Sequence, residues 1–554
     1  MQKIILFILV LLSQIVFSAS KITETEKLKA ACKVWGFLKY YHPKAASGQL
    51  DWDNQLLEKL PKIEKAETKE EFSLILENWI EELGPIKELG PISASVDVDY
   101  FDKNFDLSWF NNSRVFSKKL SKKLKFIEEN RFQGEQFYVY GVERVGNVGM
   151  RNESLAHPDF TNKHSKLRMV FMFWNLVEYF FPYKYLMDQK WDTTLEKIIP
   201  LAIQADNYDD FYKVMTKLCC KIDDSHTDVY LYSSVEGFKP DKYYFPANGK
   251  IIDDKLVVTE ILGDSLAQAD DIKAGDIITK INGQTIKEII LEKKDIICAS
   301  NNAKYLDKLV KGILVSISNT VKVEFLKNGQ YITKTMTWFD YHDSHRNEFK
   351  KGAQQKKEKF KLLDNNIGYV DMGIITQKNI PDMIAVLKDT QAIIFDLRSY
   401  PKGTYREISS FLSSKEINFV KCTLPDFSYP GRFKWAKMKK NGSDNKDNYK
   451  GKAIVLLNEK TQSNAEWSAM CFQASGNTTV IGSQTSGADG NISVFEFKGF
   501  RTLFSGMGVY YPDGRETQRI GIVPDIEVKP TIKGIQEGKD EVLDRALLFI
   551  ETGK

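Results

Sequence analysis

Ser463 is the residue whose setting most clearly suits chemistry. An apolar run, Ala453-Ile454-Val455-Leu456-Leu457, leads into Asn458-Glu459-Lys460-Thr461-Gln462-Ser463-Asn464-Ala465-Glu466 and then into a helical pattern. That pattern predicts a strand, a turn and a helix, with the serine at the turn. The first N–H groups of a helix lack intrahelical partners and carry the positive end of its dipole, so an oxyanion formed beside the serine meets ready donors. Such a place suits acyl transfer. The same spacing, Ser463 followed three residues later by Glu466, is also a capping box, which many helices use only to close an end. A hydroxyl is a poor nucleophile at neutral pH without a base, so the chemistry depends on which elements bring one to it.

With 554 residues the chain exceeds a single hydrophobic core, and about two to four domains are expected. Residues 1–20 carry Lys3, an apolar run from Ile4 to Leu12, and small residues near Ser18 and Ser20. This is the layout of a secretory signal peptide cleaved near Ser18 to Ser20, with a periplasmic or secreted mature protein as the expectation. No later run approaches the ~18 apolar residues needed to span a bilayer. Basic and acidic residues, 78 and 74, are mixed along the chain for a net charge of +4, which gives no sign of a nucleic-acid partner. The clusters Lys118 to Lys125 and Lys350 to Lys359 read as solvated helix faces or linker. Six cysteines, Cys32, Cys219, Cys220, Cys298, Cys422 and Cys471, sit mostly in apolar contexts without metal-ligand spacing and read more as buried free thiols than as a disulfide framework, although export would permit a bridge. No metal or organic cofactor is implied, since Asp223, Asp224 and His226 lie too close in sequence to form a convincing cluster alone.

The elements that must position the site begin with an internal repeat. Leu28, Trp35, Tyr40, Pro43, Trp52, Asp53, Leu56, Pro61 and Phe72 recur at Leu167, Trp174, Tyr179, Pro182, Trp191, Asp192, Leu195, Pro200 and Phe211, each pair 139 residues apart. Apolar and aromatic residues recur at helical spacing in both copies, so the tryptophans read as core or inter-repeat packing. The same register sets Pro85-Ile86-Lys87 against Asp224-Ser225-His226, so only the second copy can carry chemistry. The first copy and its linker are placed at 21–164 and the second, with the histidine, at 165–235. Residues 246–338 alternate like short strands joined by glycine turns and resemble a PDZ domain, which takes an extended peptide as an added strand. A charged, Gln/Lys-rich linker follows at 340–360. Residues 361–550 alternate strand runs, from Ile367, Ala392, Ala453 and Thr479, with helical stretches, as in a layered α/β core. The fold class expected is α+β and multi-domain: a duplicated helical unit, a PDZ-like β-rich domain and the layered core.

Ser463-Asn464-Ala465-Glu466, Val480-Ile481-Gly482-Ser483-Gln484-Thr485-Ser486-Gly487, Gly521-Ile522-Val523-Pro524-Asp525 and Ile393-Ile394-Phe395-Asp396-Leu397-Arg398 occur in an order that resembles the S41 peptidase family, which includes the C-terminal processing (tail-specific) proteases and the tricorn core protease. The resemblance covers about 165–550. It implies a ClpP/crotonase-like core and a serine peptidase with Ser463 as nucleophile, acting through an acyl-enzyme on unfolded polypeptides or peptide C-terminal ends. It also implies oxyanion donors at Asn464 and in the loop after Asp396-Leu397-Arg398. Here that donor is Gly403, while Tyr400 and Lys402 depart from the usual asparagine and glycine. The lysine base of the tail-specific branch falls on Ala488. The histidine of the tricorn-like branch matches His226, with Ser225 before it as the orienting group. The family's further glutamate falls on Gln518, and Glu516 is its alternative. These departures keep a second reading open, a catalytically inactive ligand- or peptide-binding protein on the same fold.

Overall fold

The computed structural model describes residues 22–89, 92, 98–153, 159–231, 242–340, 358–497 and 500–554. The expected signal peptide and most of the expected linker lie outside them. The chain divides into two compact units, one formed by Met1–Leu218 with Leu424–Trp435, the other by Cys219–Thr423 with Ala436–Lys554.

The first unit carries the repeat. Helices α1 (Glu24–Tyr41), α2 (Trp52–Lys65) and α3 (Lys69–Glu82) return as α4 (Lys163–Phe180), α5 (Trp191–Gln204) and α6 (Tyr208–Cys220). Each copy locks its first two helices by the same exchange. The Trp35 indole donates to the Trp52 carbonyl at 3.1 Å and Trp52 returns the bond at 3.0 Å; Trp174 and Trp191 do the same at 3.1 and 3.0 Å. A buried indole N–H without an acceptor is costly, so these exchanges let four large rings enter the core. Lys27 ties down the end of α2 through the Glu64 and Ala66 carbonyls, and Lys166 does so for α5 through Ile203 and Ala205.

The copies meet at equivalent positions. A Cβ on Gly36 would stand 1.8 Å from Oδ1 of Asn175, the residue 139 places on, whose amide donates to the Cys32 and Phe171 carbonyls at 3.0 and 2.9 Å. Gly36 is thus set by close approach. Gly36→Ala is expected to displace the fully buried Asn175 and to cost about 1–3 kcal/mol, read as a lower urea midpoint with an unchanged m-value.

In the second unit, strands β2 (Ala247–Ile252), β3 (Lys255–Ile261), β4 (Ile277–Ile281), β5 (Thr320–Lys327) and β6 (Gln330–Thr337) form an antiparallel sheet in the order β6-β5-β4-β3-β2. Helix α7 (Asn302–Ile313) packs Tyr305, Leu309, Val310 and Ile313 against Leu256, Val258, Ile278, Val323 and Phe325 of that sheet.

The larger core is a six-stranded sheet, β7 (Phe360–Leu363), β8 (Ile367–Asp371), β9 (Ala392–Asp396), β10 (Lys452–Leu457), β11 (Thr478–Gly482) and β14 (Ile526–Glu527), in that spatial order. All pairs are parallel except β7 with β8. Strands buried on both faces read as unbroken apolar runs, as Ala392 to Phe395 does. Ile394, Ile454 and Ile481 pack against Val542, Ala546 and Ile550 of α9 (Glu541–Thr552), and Phe395 turns to Phe472 of α8 (Asn464–Gln473), ring centroids 5.3 Å apart. A small antiparallel sheet completes the unit, formed by β1 (Val229–Leu231), β13 (Phe500–Ser505) and β12 (Ile492–Phe497).

Candidate active site

Parallel strands deliver their following loops to one edge, and Gly403, Ser463, Asn464 and Ala488 lie in the segments that follow β9, β10 and β11. Strand β10 ends at Leu457, and the turn 458–462 leads to Ser463 at the N-terminus of α8. Thr461 shapes this turn, its hydroxyl donating to the Leu397 carbonyl at 2.9 Å. The turn therefore stands beside the loop that leaves β9.

Ser463 has φ 55° and ψ −120°. A side chain in this region is strained, and serine nucleophiles at strand-to-helix turns are held in the same manner. The strain is held by backbone bonds: the Ser463 N–H donates to the Ala488 carbonyl at 2.9 Å and to Oε2 of Glu466 at 3.1 Å. Glu466 is fully buried and also accepts from the Gly487 and Ala488 N–H groups at 2.9 and 3.1 Å and from the Thr485 hydroxyl. Burial raises its pKa against the opposing pull of these donors. Gly487, at φ +64°, runs so close to the Arg519 backbone that a Cβ would meet it at 2.7 Å. Glycine at 463 relieves the strain and keeps both N–H bonds, so Ser463→Gly is expected to be about 1–2 kcal/mol more stable than wild type by denaturant unfolding.

Asn464 opens α8, and its N–H is one of the groups a helix leaves unpaired. Gly403, at φ +73° with open space where a Cβ would stand, lies in the loop after β9. Arg398 anchors the start of that loop. It bonds Asp396 through Nε and Nη2, at 3.0 and 2.7 Å, and Asp540 at the start of α9 through Nη1 and Nη2, at 2.7 and 2.8 Å. Tyr400, 56% exposed, is turned to solvent.

His226 sits in the turn between α6 and β1, 8% exposed. Pairing of β1 with β13 sets Val229 opposite Thr502 and Leu231 opposite Phe500, and the same register carries back to His226 and Ser505. The imidazole Nδ1 lies 2.8 Å from the Ser505 hydroxyl. That hydroxyl is 3.1 Å from Oδ1 of Asp224, whose Oδ2 accepts the Ser505 N–H at 2.5 Å. Asp224 is fully buried and also accepts the His226 N–H at 3.0 Å. Burial lowers the His226 pKa, Asp224 opposes this, and Lys308 and Lys304 on α7 add to the lowering. Nε2 is buried with no hydrogen-bond partner among the described residues, so the ring has one nitrogen held and one to offer.

Ser225 stands elsewhere than at the imidazole. Its hydroxyl donates to the Ser486 carbonyl at 2.7 Å and accepts the Ser300 N–H at 2.9 Å. A hydroxyl has one proton, and this one is committed to a backbone carbonyl, so Ser225 braces the loop while Ser505 meets the ring. Gln518 reaches Asp224 Oδ1 and the Ser300 hydroxyl, both at 3.4 Å. Glu516 takes part in a backbone bridge with Tyr510. Ala488 is buried and contributes its carbonyl to the Ser463 N–H rather than a basic side chain.

The serine turn and the histidine turn are tied together. Gln462 donates to the Ser225 carbonyl at 3.4 Å, and the Ser486 residue that accepts from Ser225 also donates its N–H to Thr461 at 2.9 Å. Cys220 and Cys298 form a disulfide, with Cys32, Cys219, Cys422 and Cys471 free and buried. Four of the six are thus free thiols and two form the bridge that export would permit, against the favoured expectation: α6 ends at Cys220, and the fold lays it beside a segment 78 residues away in a way that spacing cannot reveal. Ser505 and Asp224 are the site residues that sequence reasoning missed as a pair; the signal was the strand after His226, but its partner strand is far off in sequence.

Residues 366–528 match the family model Peptidase family S41, and residues 237–303 match the PDZ domain. The carboxy-terminal-processing protease of Bartonella bacilliformis is 27% identical over 200 residues, which are 34% of this chain and 44% of that protein. The match thus spans under half the length of that curated relative. Among solved structures, mature CPAF complexed with lactacystin aligns over 70% of this chain and 99% of its own with a TM-score of 0.55 and 11% identity. Mature CPAF alone aligns over 70% and 98%, with a TM-score of 0.54 and 11% identity. These two likenesses establish the shared fold.

Proposed function

Because residues 366–528 form a peptidase family S41 domain and residues 237–303 a PDZ domain, we propose that this chain is a serine peptidase that hydrolyses peptide bonds in unfolded polypeptides or at peptide C-terminal ends. The observation that carries this reading is Ser463, held in strained backbone at the head of α8 and tied through Gln462 and Ser486 to the turn of a buried histidine with a free Nε2. Ser463 Oγ attacks the carbonyl carbon while its proton passes to His226 Nε2. The N–H groups of Asn464 and Gly403 stabilise the oxyanion, a contribution of about 10²–10³ in rate for each donor. Collapse breaks the C–N bond, and the imidazolium protonates the leaving amine. Water, deprotonated by the same nitrogen, then opens the acyl-enzyme. The PDZ domain offers a sheet edge on which an extended peptide can add as a strand.

Export fits this reading. The leader-like residues 1–20 and the Cys220–Cys298 disulfide both point to an oxidising compartment outside the cytoplasm.

An alkyl fluorophosphonate tests the nucleophile. Attack forms an Oγ–P bond and expels fluoride, and the adduct is located by tryptic mass spectrometry. A single adduct on the peptide bearing Ser463, lost in Ser463→Ala and lost on unfolding, is expected. An unmodified Ser463 in the folded protein contradicts the reading and favours a binding protein.

A further inference from the structure

A base that takes its proton on Nε2 must keep Nδ1 protonated and pointed away, and the group that does this here is not adjacent in sequence. The Ser505 hydroxyl lies between the His226 Nδ1, at 2.8 Å, and Oδ1 of Asp224, at 3.1 Å. Its one proton can go to only one of them. A carboxylate accepts and cannot donate, so if the serine proton went to the ring, oxygen lone pairs would face each other at 3.1 Å in a buried site. Donation to Asp224 avoids this and leaves the serine oxygen to accept from Nδ1–H. That assignment fixes the tautomer with Nε2 unprotonated.

We infer that Ser505 is a positioning residue for the reaction, accepting the His226 Nδ1–H while donating to Asp224, so that a buried carboxylate acts on the imidazole through a serine in place of a direct carboxylate contact. This rests on His226 being the base. The carboxylate is built into position: Asp224 accepts the Ser505 N–H, the His226 N–H and the Gln518 amide, at 2.5, 3.0 and 3.4 Å. Its Oδ1 lies 3.9 Å from Nδ1, close enough to stabilise the imidazolium formed when Nε2 takes the proton. Gln518 acquires a role of its own, holding the acid that faces the histidine. The charged groups facing the ring are Asp224 from its own turn and Lys304 and Lys308 from α7; Lys308 donates to the Thr227 carbonyl at 2.7 Å.

The test is steady-state hydrolysis of fluorogenic casein between pH 4 and 9 by wild type, Ser505→Ala, Asp224→Asn and His226→Ala, each checked for folding by circular dichroism. Ser505→Ala is expected to lower kcat about 10²–10³-fold with KM within about threefold, since the ring loses its tautomer lock but substrate contacts stay. Asp224→Asn is expected to move the acidic limb of kcat/KM to lower pH, because a negative charge that favours the imidazolium is gone. In Ser505→Ala a merely structural serine would leave kcat near the wild-type value. The inference is overturned if Ser505→Ala keeps kcat within about threefold of wild type, or if its loss lies in KM. Should Ser505→Ala not fold, an unmoved acidic limb in Asp224→Asn overturns it instead. A fully active His226→Ala, or an inactive wild type, overturns the reading on which it rests.

Discussion

Alanine at position 463 is expected to reduce peptide hydrolysis about 10⁴–10⁶-fold with the fold intact, because the reaction has no second path once the attacking oxygen is removed. Structural arguments keep this loss apart from unfolding. Ser463 holds its turn through its N–H, which bonds Ala488 and Glu466, and alanine retains that N–H. The backbone strain at φ 55° also remains, so the alanine variant is expected to unfold at close to the wild-type denaturant concentration. Casein hydrolysis and urea unfolding on one preparation check both halves of the prediction.

His226→Ala is expected to cost a comparable factor, about 10⁴–10⁶ in kcat, since nucleophile and base act as a unit. Its wild-type pH profile follows from the environment of the ring. Burial, aided by Lys308 and Lys304, lowers the His226 pKa below the ordinary 6.5, and the base works only when unprotonated. Activity is therefore expected to persist below pH 6.5 and to fall only as pH passes the lowered value. Stability follows the same linkage. The unfolded chain takes up a proton near the ordinary value while the folded chain resists it, so this contribution is present above about pH 6.5 and is lost as pH falls toward the folded pKa. A kcat/KM profile whose acidic limb lies above 6.5 contradicts this reading of the ring's surroundings.

What the sequence made legible follows local rules. The strand, turn and helix around Ser463 came from an apolar run followed by capping chemistry, both of short range. The repeat was legible because its two tryptophan pairs obey one local geometry, and the structure repeats the helices at the same 139-residue offset. The orienting group of His226 was less legible. Ser225 stands next to it in sequence, but adjacent residues in a tight turn point apart, and the hydroxyl of Ser225 goes to Ser486. Ser505 reaches the ring because β13 pairs with β1 across about 270 residues, a register set by long-range packing. The Cys220–Cys298 bridge has the same origin. The missing family glutamate marked position 518 as a departure, yet the structure places a different carboxylate, Asp224, beside the histidine.

The claim that Ser463 and His226 act as one machine is tested most directly by a double-mutant cycle on casein hydrolysis, using wild type, Ser463→Ala, His226→Ala and the double variant. If the two act as a unit, either single change drops the rate to a residual level that the double variant does not fall below. Losses that multiply, or a His226→Ala variant that retains activity, would contradict it and show the serine working with another base.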